Sequence, residues 1–127
     1  TVQDRIRWCR HKMGLLQKEI AQKLGISRNL YIAYETGTVD YYPKETMDKL
    51  AAFFGINVFD LLDDYNHFQY NGQGRAISES RRLMGLSKKA YARMLGIDSR
   101  TLDNWEKDKK RMNKNSWEKY FKDMLGE

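Results

Sequence analysis

The side chains of this chain that could do chemistry are mainly cationic and amide groups, and they follow short turns that contain glycine. Arg28 and Asn29 follow the turn LGIS, and Arg100 and Asn104 follow the turn LGID. Arginine suits the O6 and N7 acceptors of guanine, and asparagine suits the edge of adenine. The basic run KDKKR at 107–111 could grip phosphates, although a solvated loop is the alternative reading. These residue types favour binding to a polyanion over catalysis.

Groups that catalysis requires are sparse in the sequence. The only histidines are His11 and His67, and the only cysteine is Cys9. The sequence has no cysteine cluster for a metal, no glycine-rich phosphate loop, and no nucleophile with a base at a recognisable spacing. We therefore expect no enzymatic activity, no metal and no cofactor.

The charge balance also favours an anionic partner. The formal net charge is +6 and the sequence pI is about 9.4, as is common for domains that bind nucleic acid. Residues 1–64 hold nine basic and nine acidic side chains, whereas residues 65–127 hold fourteen and eight. The second half therefore carries all of the excess positive charge.

Several features predict a cytoplasmic protein that makes no membrane contact. No run approaches the roughly 20 consecutive apolar residues that a membrane helix needs. Asp4, Arg5 and Arg7 lie where a secretory signal would be apolar. A single cysteine allows no intrachain disulfide, so nothing indicates an oxidising compartment.

One segment of the sequence occurs twice. MGLLQKEIAQKLGIS at 13–27 returns as MGLSKKAYARMLGID at 84–98, which is 71 positions later. The same offset, without a gap, aligns further identical residues along the two halves. The identical pairs are Ile6 and Ile77, Arg10 and Arg81, Met13 and Met84, Gly14 and Gly85, Leu15 and Leu86, Lys18 and Lys89, Ala21 and Ala92, Leu24 and Leu95, Gly25 and Gly96, Ile26 and Ile97, Glu35 and Glu106, and Gly55 and Gly126. Two periods are too few for a solenoid, so we predict a tandem duplication of a small globular domain.

Each copy is predicted to be all-α. Apolar residues recur at helical spacing in four segments of each copy, and VFDLLDD at 58–64 predicts a short fifth helix in the first copy alone. YNHFQYNGQG at 65–74 lacks this periodicity and predicts a linker between domains at 1–64 and 75–127. We expect the face left by the missing fifth helix to be covered by a second molecule or by the linker aromatics Tyr65, Phe68 and Tyr70.

Residues that begin and end helices fall at the expected places. Gly25 can end the second helix in the left-handed conformation, and Ser27 can cap the third. Ser87 and Asp98 can serve as the corresponding caps in the second copy. Pro43 is predicted at the first position of the fourth helix.

The two stretches have the layout of a helix-turn-helix, in which two short helices cross steeply through a tight turn. QKEIAQKLGIS followed by YETG, and KKAYARMLGID followed by NWEKD, resemble the Cro and phage-repressor (XRE-like) family of helix-turn-helix domains. The resemblance covers residues 4–64 and 75–126. It implies two tandem lambda-repressor-like domains, the second lacking the fifth helix. In this layout Ala21 and Ala92 are small because the third helix crosses closely, and the residues that anchor the third helix inward are Tyr31, Tyr34, Leu102 and Trp105.

In that family the third helix reads base edges in the major groove and the start of the second helix meets the phosphate backbone. The resemblance implies backbone contacts at Gln17 in the first copy and at Lys88 and Lys89 in the second. The groove-facing positions implied for the first copy are Ser27, Arg28, Asn29, Ile32 and Ala33. Their matches in the second copy are Asp98, Ser99, Arg100, Asp103 and Asn104. Further phosphate contacts are expected from Lys109, Lys110 and Arg111 of the basic run.

Two of these positions carry alternatives, and one further residue departs from the family pattern. Asp98 is expected to act more as a helix cap than as a base contact. Asp103 would be repelled by phosphate, so it either reads a base or pairs with a neighbouring arginine. Leu16 stands where the family usually has a polar N-cap, which predicts a less firm start for the second helix of the first copy.

The resemblance implies a sequence-specific regulator that binds double-stranded DNA, of a repressor type found in phages or mobile elements. Because the groove-facing residues differ between the copies, an asymmetric or two-half-site operator is expected. The alternative is an antitoxin or adaptor in which one domain binds DNA and the other binds a partner protein. A homodimer or a small protein partner is therefore also possible.

Overall fold

The computed structural model describes the backbone of residues 1–125 and the side chains of residues 1–123. Within that part of the chain every regular element is helical, as predicted. The predicted match of Gly126 to Gly55 lies outside the described residues. The chain divides into two compact units, a first unit Thr1–His67 and a second unit that begins at Phe68. No helix among the described residues has the length and apolar character needed to cross a membrane.

The first unit contains four complete α-helices, a short 3₁₀ helix and the start of a fifth α-helix. The elements are α1 Val2–Met13, α2 Gln17–Leu24, α3 Arg28–Thr36, α4 Lys44–Phe54, the 3₁₀ helix Val58–Asp60, and the first residues of α5 Asp64–Tyr70. Helices α1 and α2 both pack on α3, with α4 behind them. The side chains that are fully buried between them include Ile6, Ile20, Tyr31, Met47 and Leu50. Burial of each of the aliphatic side chains among them stabilises the fold by about 1.5–3 kcal/mol.

In the second unit, as in the first, two helices pack on a third. Its elements are the end of α5, then α6 Gln73–Leu83, α7 Lys88–Leu95, α8 Ser99–Glu106, α9 Lys114–Tyr120 and α10 Lys122–Leu125. Helices α6 and α7 both pack on α8. The core is formed by Ile77, Tyr91, Leu102, Met112 and Phe121.

The segment at 65–74 is not the irregular linker that its composition predicts. Most of it is helical, because α5 runs to Tyr70 and α6 begins at Gln73. Asp63 starts α5, since its Oδ1 accepts from the backbone N–H of Asn66 at 2.8 Å. The Asn66 side chain, which suggests a turn in isolation, is buried instead and bonds the backbone at 40–42.

Two smaller expectations also differ from the structure. The predicted fifth helix at 58–64 is a single 3₁₀ turn, with Leu61 and Leu62 buried behind it. Pro43 lies at the N-cap of α4, one residue before its predicted position.

An aromatic residue of the predicted linker does cover the second unit. The ring of Phe68 lies 6.4 Å, centroid to centroid, from the rings of both Trp117 and Phe121. Tyr65 is buried in the first unit instead, and Tyr70 is half-buried. The helix expected to match α4 is interrupted at Phe121, whose φ of −126° separates α9 from α10.

Candidate nucleic-acid interface

A tight turn sets the angle between α2 and α3. Gly25 ends α2 with a φ of +71°, which favours glycine, and Ile26 is half-buried behind it. The Ser27 Oγ accepts from the Leu30 N–H at 3.1 Å and caps α3 as predicted. Ala21 is buried where the two helices meet, as its small size predicts.

Helix α3 buries one flank and exposes the other. Tyr31 and Tyr34 point into the core, which confirms their predicted role. On the other flank the predicted groove-facing residues Ser27, Arg28 and Asn29 are exposed, while Ile32 and Ala33 are half-buried. The exposed flank therefore presents a cation, an amide and a hydroxyl at the N-terminus of α3.

A buried ion pair locks α1 to α3. The Arg10 guanidinium donates to Glu35 Oε2 at 2.6 Å and to Oε1 at 3.0 Å, in a bidentate arrangement. Arg10 also donates to the Leu15 carbonyl at 2.9 Å, and the Gln17 amide donates to Glu35 at 3.2 Å. Burial of Glu35 raises the pKa of its carboxyl, but these hydrogen bonds outweigh burial and the pKa is lowered overall. Glu35 therefore stays ionised and holds Gln17 at the start of α2.

An open pocket lies where α1, α2 and α3 converge. Its volume is about 390 Å³, and it is lined by Arg10, Leu16, Gln17, Lys18 and Arg28. Leu16 gives no side-chain cap to α2, but the Glu19 carboxylate accepts from the Leu16 N–H at 2.9 Å. Arg10 is already neutralised by Glu35, so Lys18 and Arg28 supply the net positive charge of the pocket, which suits an anionic oxygen.

The second unit forms a similar turn between α7 and α8. Gly96 has a φ of +75°, Ser87 caps α7 through the Ala90 N–H, and Asp98 caps α8 through the Arg100 N–H. The role of Asp98 as a cap is therefore confirmed. Leu102 and Trp105 point into the core, and Ala92 is buried at the crossing. The predicted groove-facing residues Ser99 and Arg100 are exposed, and Asp103 and Asn104 are half-buried.

The second unit also has its own bidentate ion pair. Arg81 donates to Glu106 at 2.9 and 3.1 Å and to the Leu86 carbonyl at 3.0 Å. Arg81, Glu106 and Leu86 lie 71 positions after the three residues that make the same contacts in the first unit, which are Arg10, Glu35 and Leu15. The Arg81–Glu106 pair therefore joins α6 to α8, as the Arg10–Glu35 pair joins α1 to α3.

Asp103 pairs with two lysines and not with an arginine. Lys88 Nζ lies 2.7 Å from Oδ1, and Lys107 Nζ lies 3.1 Å from Oδ2. Hydrogen bonds from Lys88 and Lys107 lower the pKa of Asp103, so the carboxylate is charged at neutral pH. Lys88 is thus tied to α8, whereas the neighbouring Lys89 is exposed.

The basic run after α8 is held by buried groups from α6. Gln73 Nε2 donates to the Lys110 carbonyl at 2.7 Å, and Gln73 Oε1 accepts from the Met112 N–H at 2.9 Å. Asp108 has a φ of +57° and accepts from the Gly74 N–H at 3.1 Å. Lys109, Lys110 and Arg111 are exposed on this ordered backbone. The loop therefore presents its cations from a fixed frame.

A family comparison identifies the arrangement. Residues 4–67 match the family model described as a helix-turn-helix domain, which is half of the chain. The chain belongs to the helix-turn-helix domain family. The match ends where the first unit ends, and the α2–turn–α3 segment lies within the matched residues.

Two relatives support the same helix-turn-helix assignment. The chain is 43% identical over 62 residues to the cryptic phage CTXphi transcriptional repressor RstR of Vibrio cholerae, covering 48% of this chain and 54% of that protein. It is 35% identical over 61 residues to the uncharacterized HTH-type transcriptional regulator MJ0272 of Methanocaldococcus jannaschii, covering 48% of this chain and 91% of that protein. The chain thus spans about half the length of the repressor. No solved structure matches the chain significantly.

The structure adds residues to the candidate helix-turn-helix surface that sequence reasoning left out. Lys18 lines the pocket beside Gln17, although only its match Lys89 was predicted as a contact. Lys18 and Lys89 are identical residues 71 positions apart, so the repeat alone was sufficient to identify Lys18 as a candidate contact. Lys107 was predicted only as part of the basic run, and its pairing with Asp103 depends on a tertiary contact that spacing does not reveal.

Proposed function

We propose that the chain is a sequence-specific double-stranded DNA-binding transcriptional regulator of the repressor type, with a recognition helix in each unit. The observation that carries the proposal is the α2–turn–α3 segment of a helix-turn-helix family member, whose α3 exposes Arg28 and Asn29 beside a cationic pocket. The names of the two relatives, a transcriptional repressor and a transcriptional regulator, support this role.

We infer that the second unit is a second copy of the domain. A repeated set of contacts supports this inference. Arg81 binds Glu106 and the Leu86 carbonyl in the second unit, as Arg10 binds Glu35 and the Leu15 carbonyl in the first. A chance pair of helices has no reason to reproduce one bidentate pair and one carbonyl contact at a constant offset. In this proposal α8 is the second recognition helix, and the two domains are the compact units Thr1–His67 and the one that begins at Phe68, in place of the predicted 1–64 and 75–127.

The two recognition helices read different base pairs in this proposal. Arg28 and Arg100 suit guanine, Asn29 and Asn104 suit adenine, and Ile32 suits a thymine methyl group. The two helices differ at every matched groove-facing position. One chain therefore prefers an asymmetric operator over a palindromic one.

Cations around both helices supply the contacts to the DNA backbone. Lys18 and Lys89 lie near the starts of α2 and α7, and Lys109, Lys110 and Arg111 extend from the loop after α8. For each phosphate that the protein neutralises, the slope of the logarithm of the binding constant against the logarithm of the salt concentration becomes more negative by about 0.9. We expect a steep salt dependence for that reason.

The proposal is tested by selecting bound sequences from a randomised duplex pool and then measuring affinity for the selected site. Arg28→Ala and Arg100→Ala should each weaken binding about 5- to 150-fold, because a direct base contact contributes about 1–3 kcal/mol. Each should also relax the selected sequence at separate positions. Arg7→Ala and Arg75→Ala are matched controls, since both arginines form exposed ion pairs on other helices, and they should change the affinity less than twofold.

The outcomes separate the alternatives. If neither Arg28→Ala nor Arg100→Ala exceeds its control, the proposed reading of bases is wrong. If only Arg100→Ala weakens binding, DNA recognition belongs to the second unit alone, which is the arrangement expected of the adaptor. Binding that does not change between about 50 and 200 mM salt would contradict the proposed phosphate contacts.

A further inference from the structure

Asp103 connects three parts of the second unit through its two oxygens. Lys88, the first residue of α7, binds Oδ1, and Lys107, the residue after α8, binds Oδ2. The exposed fraction of these three side chains is between 30% and 52%, so the cluster lies at the surface. Asp103 is one of the groove-facing positions of α8 in the proposed function, so its carboxylate holds both lysines beside the surface that would face DNA.

The first unit has no such cluster at the matched positions. The residues there are Gln17, Ile32 and Thr36, and none of them is charged. Gln17 is held instead by the buried Glu35. The Lys88–Asp103–Lys107 cluster is thus a property of the second unit, whereas a buried arginine–glutamate pair occurs in both units, as Arg10–Glu35 in the first and Arg81–Glu106 in the second.

We propose that Asp103 is a selectivity residue that withholds Lys88 and Lys107 from the phosphates of non-cognate duplex. The inference rests on the proposed function of the second unit. A lysine that moves from the Asp103 carboxylate to a phosphate exchanges one anionic partner for another, so it gains little. The move also removes one of the two cations that neutralise the Asp103 carboxylate beside a polyanion, and moving both lysines removes all of its cationic partners, which is unfavourable. Non-cognate duplex therefore binds this unit more weakly than its charge implies.

Cognate DNA can remove this penalty by offering Asp103 another partner. An ionised carboxylate accepts hydrogen bonds but cannot donate them. In the major groove the donors are the amino groups of cytosine and adenine. Where an amino group faces Asp103, it satisfies the carboxylate, and the lysines are released to the backbone. Where none does, the lysines stay on Asp103.

The variant Asp103→Asn tests this selectivity, with affinity measured on a scrambled duplex and on the selected site. The freed lysines should make the salt dependence on scrambled duplex steeper by about one phosphate, so the loss of affinity between about 50 and 200 mM salt grows about 3.5-fold. The ratio of specific to non-specific affinity should fall at least about fivefold, the lower end of one direct base contact. Glu118→Gln raises the net charge equally from an exposed position on α9 and should leave the ratio unchanged.

A second substitution tests whether Asp103 keeps Lys88 away from the DNA phosphates. Lys88→Gln, which installs the residue of the first unit, should weaken non-specific binding more in the Asp103→Asn background, where the freed lysine can contact a phosphate, than in the parent protein. An equal loss in both backgrounds, or an unchanged specificity ratio for Asp103→Asn, would overturn the inference. Arg100→Ala distinguishes the two levels of the argument: if it has no effect either, the proposed DNA binding of the second unit fails together with this inference, whereas if it weakens binding the failure belongs to Asp103 alone.

Discussion

Replacing Glu35 by alanine tests how the helix-turn-helix of the first unit is held. The substitution removes two hydrogen bonds from Arg10, at 2.6 and 3.0 Å, and one from Gln17 at 3.2 Å. Arg10 keeps the Leu15 carbonyl, but its charge loses its carboxylate partner in a site where the side chain is only 10% exposed. Removing one member of a buried ion pair costs about 3–5 kcal/mol. Two charge-assisted hydrogen bonds of about 1.5–3 kcal/mol each give a similar figure.

The free energy of unfolding can be measured by urea denaturation followed by far-UV circular dichroism. With an m-value of roughly 1.5 kcal/mol/M, the expected loss lowers the urea midpoint by about 2 to 3 M. Glu79→Ala is the matched control, because the Arg75–Glu79 pair is 81% and 58% exposed, and it should cost less than about 0.5 kcal/mol.

A double variant separates the burial of charge from the loss of contacts. Arg10→Met with Glu35→Leu leaves no charge in the site, so it should recover most of the stability that Glu35→Ala loses. The reasoning is refuted if Glu35→Ala costs no more than the exposed control. It is also refuted if the double variant is as unstable as Glu35→Ala, because the loss would then come from packing.

Three further predictions concern stability. Because the pKa of Glu35 is lowered on folding, its stabilising effect is present above the ordinary carboxyl pKa and is lost as the pH falls through the depressed value; thermal melts from pH 6 to 2 should show a smaller acid-induced loss for Glu35→Gln. Asp98→Ala removes the cap of α8 and should cost about 1 kcal/mol in urea denaturation, whereas Asp98→Asn should be close to neutral. Gly74→Ala should lower the melting temperature, because a Cβ at this position overlaps the carbonyl oxygen of Glu106; an unchanged melting temperature would mean that the start of α6 can shift freely.

Local signals in the sequence predicted local structure well. Ser27, Ser87 and Asp98 cap the helices that they were expected to cap, because an N-cap bond joins residues only two or three apart. The inward side chains of α3 and α8 were also found, since helical spacing fixes which residues share a flank. The all-α class of the described chain follows from the same patterns.

Contacts between distant polar residues were not predicted. Arg10 and Glu35 are 25 positions apart, and their bidentate pair appears only when α1 and α3 are placed together. The repeat held a usable clue, because the same arginine and glutamate recur as Arg81 and Glu106, and a matched pair of opposite charges at two sites indicates a mutual contact. The helical position of Asn66 was missed for a related reason. Asparagine is common in turns, whereas the hydrogen bonds of this side chain to the backbone at 40–42 hold it in α5.

In the loops that follow α3 and α8, a buried side-chain amide bonds the loop backbone in a similar pattern. Asn66 donates to the Asp40 carbonyl and accepts from the Tyr42 N–H, and Gln73 donates to the Lys110 carbonyl and accepts from the Met112 N–H. Each buried amide therefore binds residues two apart, yet Asn66 belongs to α5 and Gln73 to α6, and the two sites are offset by 70 positions instead of 71.

Because side-chain amides fix the backbone of each loop, the side chains that the loop exposes are free to differ in charge. The loop at 37–43 contains no lysine or arginine and carries Asp40, whereas the loop at 107–111 contains four basic residues. A fixed loop presents its charges without ordering them again when a partner binds, which lowers the entropic cost of each contact. The loop after α8 is therefore cationic and the loop after α3 is not, although a buried amide holds each of them. We therefore expect most of the salt-dependent binding to a polyanion to come from the second unit.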